Sequence, residues 1–228
     1  MATGNVLLKI DDRLKRLAIG DRFVRRNPLY YGKLQQRLLE LRSARLDERI
    51  AFTESRLEKI LRAAQRTPYG RALGVPPVLE KWPMIRKELV RDEPDAFRTT
   101  NTWFAARANT GGTTGTPLAL IRSPLSVVAE QACIDQVMME LGADPLTARI
   151  AVLRGDNVKD VSDTSPPYWT YAIGGRRLIF STNHLSASTV RKYVEELERF
   201  RPDVLWVYPT SLESLCQLVA QENLKLHV

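Results

Sequence analysis

Thr110-Gly111-Gly112-Thr113-Thr114-Gly115-Thr116-Pro117, running on into Leu118-Ala119-Leu120-Ile121, is the densest chemical signal in this chain of 228 residues. Its three glycines let the backbone turn tightly and approach a ligand with no side chain in the way. Successive backbone N–H groups in such a loop converge on an anion as a nest. The four threonine hydroxyls add donors suited to phosphate oxygens, and one can help order a magnesium shell. The Walker pattern ends in Gly-Lys-Ser/Thr, but Gly115 is followed by Thr116 and no lysine lies between Thr110 and Pro117. The dinucleotide spacing of glycines at first, third and sixth positions also fails.

Downstream of the loop, Leu118 to Ile121 reads as a short strand, and Pro124 opens a helix that runs to about Leu141 and stops at Gly142. Arg149 to Leu153, Arg177 to Ser181 and Asp203 to Tyr208 are apolar runs of strand length. Between them, Ser188 is placed as the cap of a helix continuing to Phe200, and Thr210 or Ser211 as the cap of a last helix carrying Leu212, Leu215 and Leu218. Strands alternating with helices at these lengths predict an α/β fold with a largely parallel sheet and right-handed crossovers.

Upstream, the first hundred residues read as helices. Leu34, Leu38 and Leu41 form one stripe, and Leu46, Ile50, Leu57, Ile60, Leu61 and Ala64 form another, until Thr67-Pro68-Tyr69-Gly70 stops the pattern. Val75-Pro76-Pro77 and Lys81-Trp82-Pro83 mark loops. The expected division is therefore a basic helical segment, 1–100, packing on a main domain, 101–228. The charge falls the same way. Residues 1–100 hold 22 Lys/Arg against 13 Asp/Glu, a balance of +9, while residues 101–228 balance at −1. A basic helical surface of this kind is chiefly a solvated face. It also leaves open nucleic acid, an anionic membrane or an acidic partner.

Composition narrows the chemistry. Cys133 and Cys216 are too few for a disulfide framework and are read as buried free thiols. His184 and His227 are the only histidines, which leaves little for a zinc site or a serine–histidine triad. No apolar run nears the roughly 20 residues that span a bilayer. Val6-Leu7-Leu8 is interrupted by Lys9, Asp11 and Asp12 before a signal-peptide core can form, so a cytoplasmic protein is expected.

The loop resembles the signature phosphate loop of the adenylate-forming superfamily of acyl-CoA synthetases, adenylation domains and luciferases. Thr110 to Pro117 fits that signature position by position, and Leu118 stands where most members carry lysine. That departure is similar to a subgroup around phenylacetate-CoA ligase and capsule-biosynthesis proteins of the CapK type. Arg66 to Gly70, Leu79 to Lys87, Phe180 to Ser186 and Arg201 to Ser211 resemble further landmarks of the subgroup in the same order.

The resemblance implies an α/β domain of the adenylate-forming type and an enzyme that joins a carboxylate to ATP, with Mg2+, releasing pyrophosphate. Many members then pass the acyl group to coenzyme A. It assigns the leaving phosphates to Thr110, Gly111, Gly112, Thr113, Thr114, Gly115 and Thr116. The family's later elements, from the adenine-binding segment to the catalytic lysine of the small domain, have no match before Val228. The chain is therefore expected to be an amino-terminal, truncated portion, inactive alone, whose partner is a complementing carboxyl-terminal half. The alternative is a non-catalytic nucleotide- or partner-binding module acting through the basic helices. His184, Arg154, Asp156 and Tyr208 stand at strand ends where ligands gather in α/β sheets, and none of them is given a role.

Overall fold

The computed structural model describes residues 18–99, 105–110, 118–156 and 158–227. The described chain is mixed α/β, helical in its first part and with a small, mostly parallel sheet in its second. Residues Arg26–Cys133 form one compact unit, and the rest, chiefly Ile134–Val228, forms another.

In the first unit, helices α1 (Tyr31–Ser43) and α2 (Leu46–Ala64) follow the two apolar stripes. Helix α2 carries Asp47 and Glu48 in its first turn and Arg62 in its last, which complements the helix dipole at both ends. The stripe is only partly covered: Leu34, Leu38 and Leu41 are half-buried and Leu61 is buried, whereas Leu46, Ile50 and Ile60 are exposed.

The Thr67–Gly70 stretch ends one helix and starts the next, α3 (Pro68–Leu73). Proline suits the first helical position, where its missing N–H would lack a partner anyway. Thr67 Oγ1 accepts from Gly70 N–H at 3.0 Å and donates to Ala64 O at 2.7 Å, tying both helices to one hydroxyl. Gly70 is required by close approach: a Cβ there would lie 2.1 Å from the Ala64 carbonyl oxygen. After α4 (Lys87–Asp92), strands β1 (Ala106–Asn109) and β2 (Ala119–Arg122) pair antiparallel, with Asn109 opposite Ala119. Helix α5 (Pro124–Glu140) begins at the expected proline.

The sheet of the second unit has four strands in the order β4-β5-β3-β6: β3 (Ile150–Leu153), β4 (Trp169–Ala172), β5 (Arg177–Phe180) and β6 (Val204–Val207). Central β3 runs parallel to β5 and β6, so the carboxyl ends of these three strands share one edge. All four residues of β3 are buried, which explains its unbroken apolar sequence. Strand β4 pairs antiparallel with β5 on the outside.

Helix α6 (Val190–Phe200) lays Val190, Tyr193, Val194, Leu197 and Phe200 on one buried face at three- and four-residue steps. With Leu178, Phe180, Leu153 and Leu215 of α7 (Pro209–Gln221), they form the larger core. Phe180 stacks on Tyr193 with ring centroids 5.1 Å apart. Met138, Ala148, Ile150 and Val152 form a smaller core.

Several local expectations are corrected. Ser188 does not cap α6. The helix starts after Thr189, whose Oγ1 is engaged with the His184 carbonyl oxygen at 2.6 Å. Neither Thr210 nor Ser211 caps α7, because Pro209 already occupies its first turn and Tyr208 is the flanking residue. Cys133 and Cys216 are exposed. Each lies on a helix whose apolar positions turn elsewhere, Ala132 and Leu215 being the buried neighbours.

Candidate functional site

The loop at Thr110 sits on a built base. Thr110 N–H donates to the Leu118 carbonyl oxygen at 3.0 Å, and Leu118 N–H donates to Thr110 Oγ1 at 3.0 Å. These two bonds extend the β1–β2 ladder by one step and pinch the chain where the loop leaves and returns. Gly111, Gly112, Thr113, Thr114, Gly115 and Thr116 lie outside the described residues. The Thr110 N–H is committed to Leu118 and the Thr110 hydroxyl oxygen already accepts, so only the hydroxyl proton is left to donate.

The second unit gathers the other candidates at the carboxyl edge of its parallel strands, where α/β sheets bind ligands. His184 closes a single turn, Thr182–His184, just beyond β5. It is 7% exposed, and its Nδ1 lies 2.7 Å from Ser181 Oγ. The ring stacks on Tyr168 with centroids 5.7 Å apart, and Nε2 is buried with no partner among the described residues. Tyr193, reaching from α6, donates its hydroxyl to the Ser181 carbonyl oxygen at 2.7 Å. Burial pushes the Tyr193 phenol well above its ordinary range, so it stays protonated as a donor. His184 is thus part of a packed polar cluster, with Ser181 and Tyr168 as partners that its isolated position in the sequence could not reveal.

Arg154 and Asp156 follow β3. The guanidinium of Arg154 lies over the Trp206 ring, 3.9 Å from its centroid, and its Nε is 3.8 Å from Asp156 Oδ2. Tyr208, at the end of β6, is 54% exposed. Beside it, Thr182, Leu185, Thr210, Ser211 and Ser214 line a hollow of about 180 Å3 whose walls carry four hydroxyls. Thr182 and Ser214 were missed as candidates because nothing in their own neighbourhoods marks them; the fold brings them together from two elements. Among the described residues, no group of three or more His, Cys, Asp or Glu side chains could hold a metal ion, and no helix is long and apolar enough to cross a membrane.

The chain is 21% identical over 148 residues to Protein CapK of Staphylococcus aureus, a match covering 65% of this chain and 33% of that protein. The match thus spans about a third of the relative's length. No protein-family model matches the chain. No solved structure matches it.

Proposed function

We propose that this chain is the amino-terminal part of an ATP-dependent ligase that activates a carboxylate as an acyl-adenylate, of the adenylate-forming fold type and the CapK-like, phenylacetate-CoA-ligase-like subgroup. The reading is carried by the glycine/threonine loop, Thr110 to Pro117. Support comes from the hydrogen-bonded base that Thr110 and Leu118 give it and from the likeness to Protein CapK.

In this reading a carboxylate oxygen attacks the α-phosphorus of ATP, the bond to the β-phosphate oxygen breaks, and pyrophosphate leaves. The loop's N–H groups and the hydroxyls of Thr113, Thr114 and Thr116 hold the departing phosphates. They act by positioning and by offsetting negative charge rather than by covalent chemistry. Thr110 anchors the loop. Magnesium would arrive on the nucleotide phosphates, a usual mode for this ion, since the loop itself offers hydroxyls and no carboxylate. Coenzyme A as acyl acceptor, and a complementing carboxyl-terminal portion as partner, belong to the same proposal.

Titration calorimetry of MgATP into the chain and into Gly112→Asp tests the loop assignment. The carboxylate introduced at Gly112 repels phosphate, so ATP binding should disappear. Equal affinity in the two proteins would refute the assignment. Binding of ATP without carboxylate-dependent turnover, even with the complementing carboxyl-terminal portion supplied, would instead favour the nucleotide-binding module.

A further inference from the structure

Helix α2 carries a heptad that its own unit covers only in part. Leu46, Ile50, Thr53, Leu57, Ile60 and Ala64 follow one another at alternating steps of four and three residues, which sets them along one seam. Near its carboxyl end the seam is anchored: Leu61 beside it is buried and Ala64 is half-buried. Elsewhere it faces water, with Leu46 65%, Ile50 48% and Ile60 61% exposed. Covering such surface is favourable in proportion to the apolar area removed from water. Thr53 does not oppose that, because its hydroxyl already donates to the Arg49 carbonyl oxygen at 3.0 Å.

The charges beside the seam are sorted by sign. Arg49 and Arg56 precede Ile50 and Leu57 and line one flank, whereas Asp47 and Glu54 follow Leu46 and Thr53 and line the other. Asp47 is engaged with Arg45 at 3.2 Å in an exposed pair. The side chains of Arg49, Glu54 and Arg56 have no partner among the described residues.

This sorting selects both an occupant and an orientation. When two copies of such a helix lie parallel, the basic flank of each meets the acidic flank of the other; antiparallel, like meets like. In the parallel case a residue just before one seam position faces the residue five further along the other copy, and Glu54 stands at that distance from Arg49. A two-fold axis makes the pair twice. So short a heptad run would not hold a free helix. Here, however, α2 is already fixed by buried Leu61 and by the bond from Thr67 N–H to Ala64 O at 3.0 Å, so docking does not bear the cost of ordering it.

We propose that α2 is a self-association surface: two copies of this chain dock their α2 seams in parallel, with Arg49 of each against Glu54 of the other. The assignment stands on α2 alone and is independent of the ATP-loop reading.

Sedimentation equilibrium of the full chain over a dilution series tests it. The mass should rise with concentration from 25.9 kDa towards twice that value. Ile50→Glu, which puts a charge in the seam, should hold the chain at the monomer mass. Arg49→Glu and Glu54→Arg each set like charges opposite one another twice, and each should weaken the dimer about tenfold. The double variant restores the pairing with its signs reversed and should return to within about twofold of the parent. Circular dichroism would check that each variant folds; Arg49 and Glu54 are exposed, and their variants carry the test if Ile50→Glu does not fold. A mass that stays monomeric at every concentration would overturn the proposal, and flotation of that monomer with anionic vesicles would give the seam to a membrane surface instead. A dimer untouched by Ile50→Glu, or a double variant no tighter than the single ones, would overturn it as well.

Discussion

Thr110 and Leu118 hold each other twice across the mouth of the glycine/threonine loop, backbone N–H to carbonyl oxygen one way and backbone N–H to hydroxyl oxygen the other, both at 3.0 Å. Thr110→Val keeps the shape and the β-branch but removes the acceptor for Leu118 N–H. An orphaned backbone donor costs about 1–3 kcal/mol where it is buried, and this site is half-buried, so a loss near 1 kcal/mol is expected. Amide hydrogen exchange should show Leu118 deprotected by roughly tenfold or less, while Thr110→Ser retains protection. Unchanged exchange at Leu118 in Thr110→Val would mean that the hydroxyl does not close the loop.

Gly70→Ala should be among the costliest single-methyl additions in the chain. The added Cβ meets Ala64 O at 2.1 Å and Ala64 C at 2.8 Å, both backbone atoms that cannot swing away. Forcing extra volume into a packed corner costs about 1–3 kcal/mol, and a backbone clash puts this variant at or beyond the top of that range. Urea unfolding would show it. A midpoint within error of the parent would contradict the corner geometry.

Arg201 ends α6 at φ 48°, in the left-handed region, with its N–H bonded to Leu197 O at 2.8 Å. Glycine adopts that conformation without Cβ strain. Arg201→Gly should therefore stabilise the chain by up to about 1 kcal/mol, read as a higher urea midpoint at unchanged slope. A lower midpoint would show that the arginine side chain contributes more than the strain it carries.

The strands most legible in the sequence were the three that run parallel. Ile150–Leu153 is a continuous apolar run buried at all four positions, as two-sided burial requires, while Leu178–Phe180 and the half-buried Val204–Val207 are apolar runs of the same kind. Strand β1, Ala106–Asn109, escaped notice because Ala-Arg-Ala-Asn has neither branched nor aromatic residues. Strand β4 is four residues at the sheet's outer edge, too short for alternation to register. The exposure of Cys133 and Cys216 turned on helix rotation by one residue, which composition does not report. At the candidate sites, the loop was visible as a run of glycine and threonine. The seat of His184 was not, since Tyr168 and Tyr193 reach it from other elements.

Asp163 offers a pH test. Hydrogen bonds from Ser165, through its hydroxyl and its N–H, hold the Asp163 carboxyl down, with Lys159 Nζ at 3.2 Å adding to the effect. Together they bring it from the usual 3.8 to about 2. A carboxyl depressed in the folded state contributes stability that is present above its unfolded value and is lost as pH falls through its folded one. That contribution should fade between about pH 4 and pH 2, and Asp163→Asn should flatten the acid limb in that window while leaving the pH dependence above pH 5 unchanged. An acid limb identical in the two proteins would show the carboxylate to be free in solution.

The central claim is carboxylate activation through the Thr110–Pro117 loop, and exchange of labelled pyrophosphate into ATP by the native gene product, across a panel of carboxylates, tests it most directly. The account predicts exchange that depends on one class of carboxylate and disappears in Gly112→Asp. Exchange that persists in Gly112→Asp, or none with any carboxylate when the complementing carboxyl-terminal portion is supplied, would contradict it.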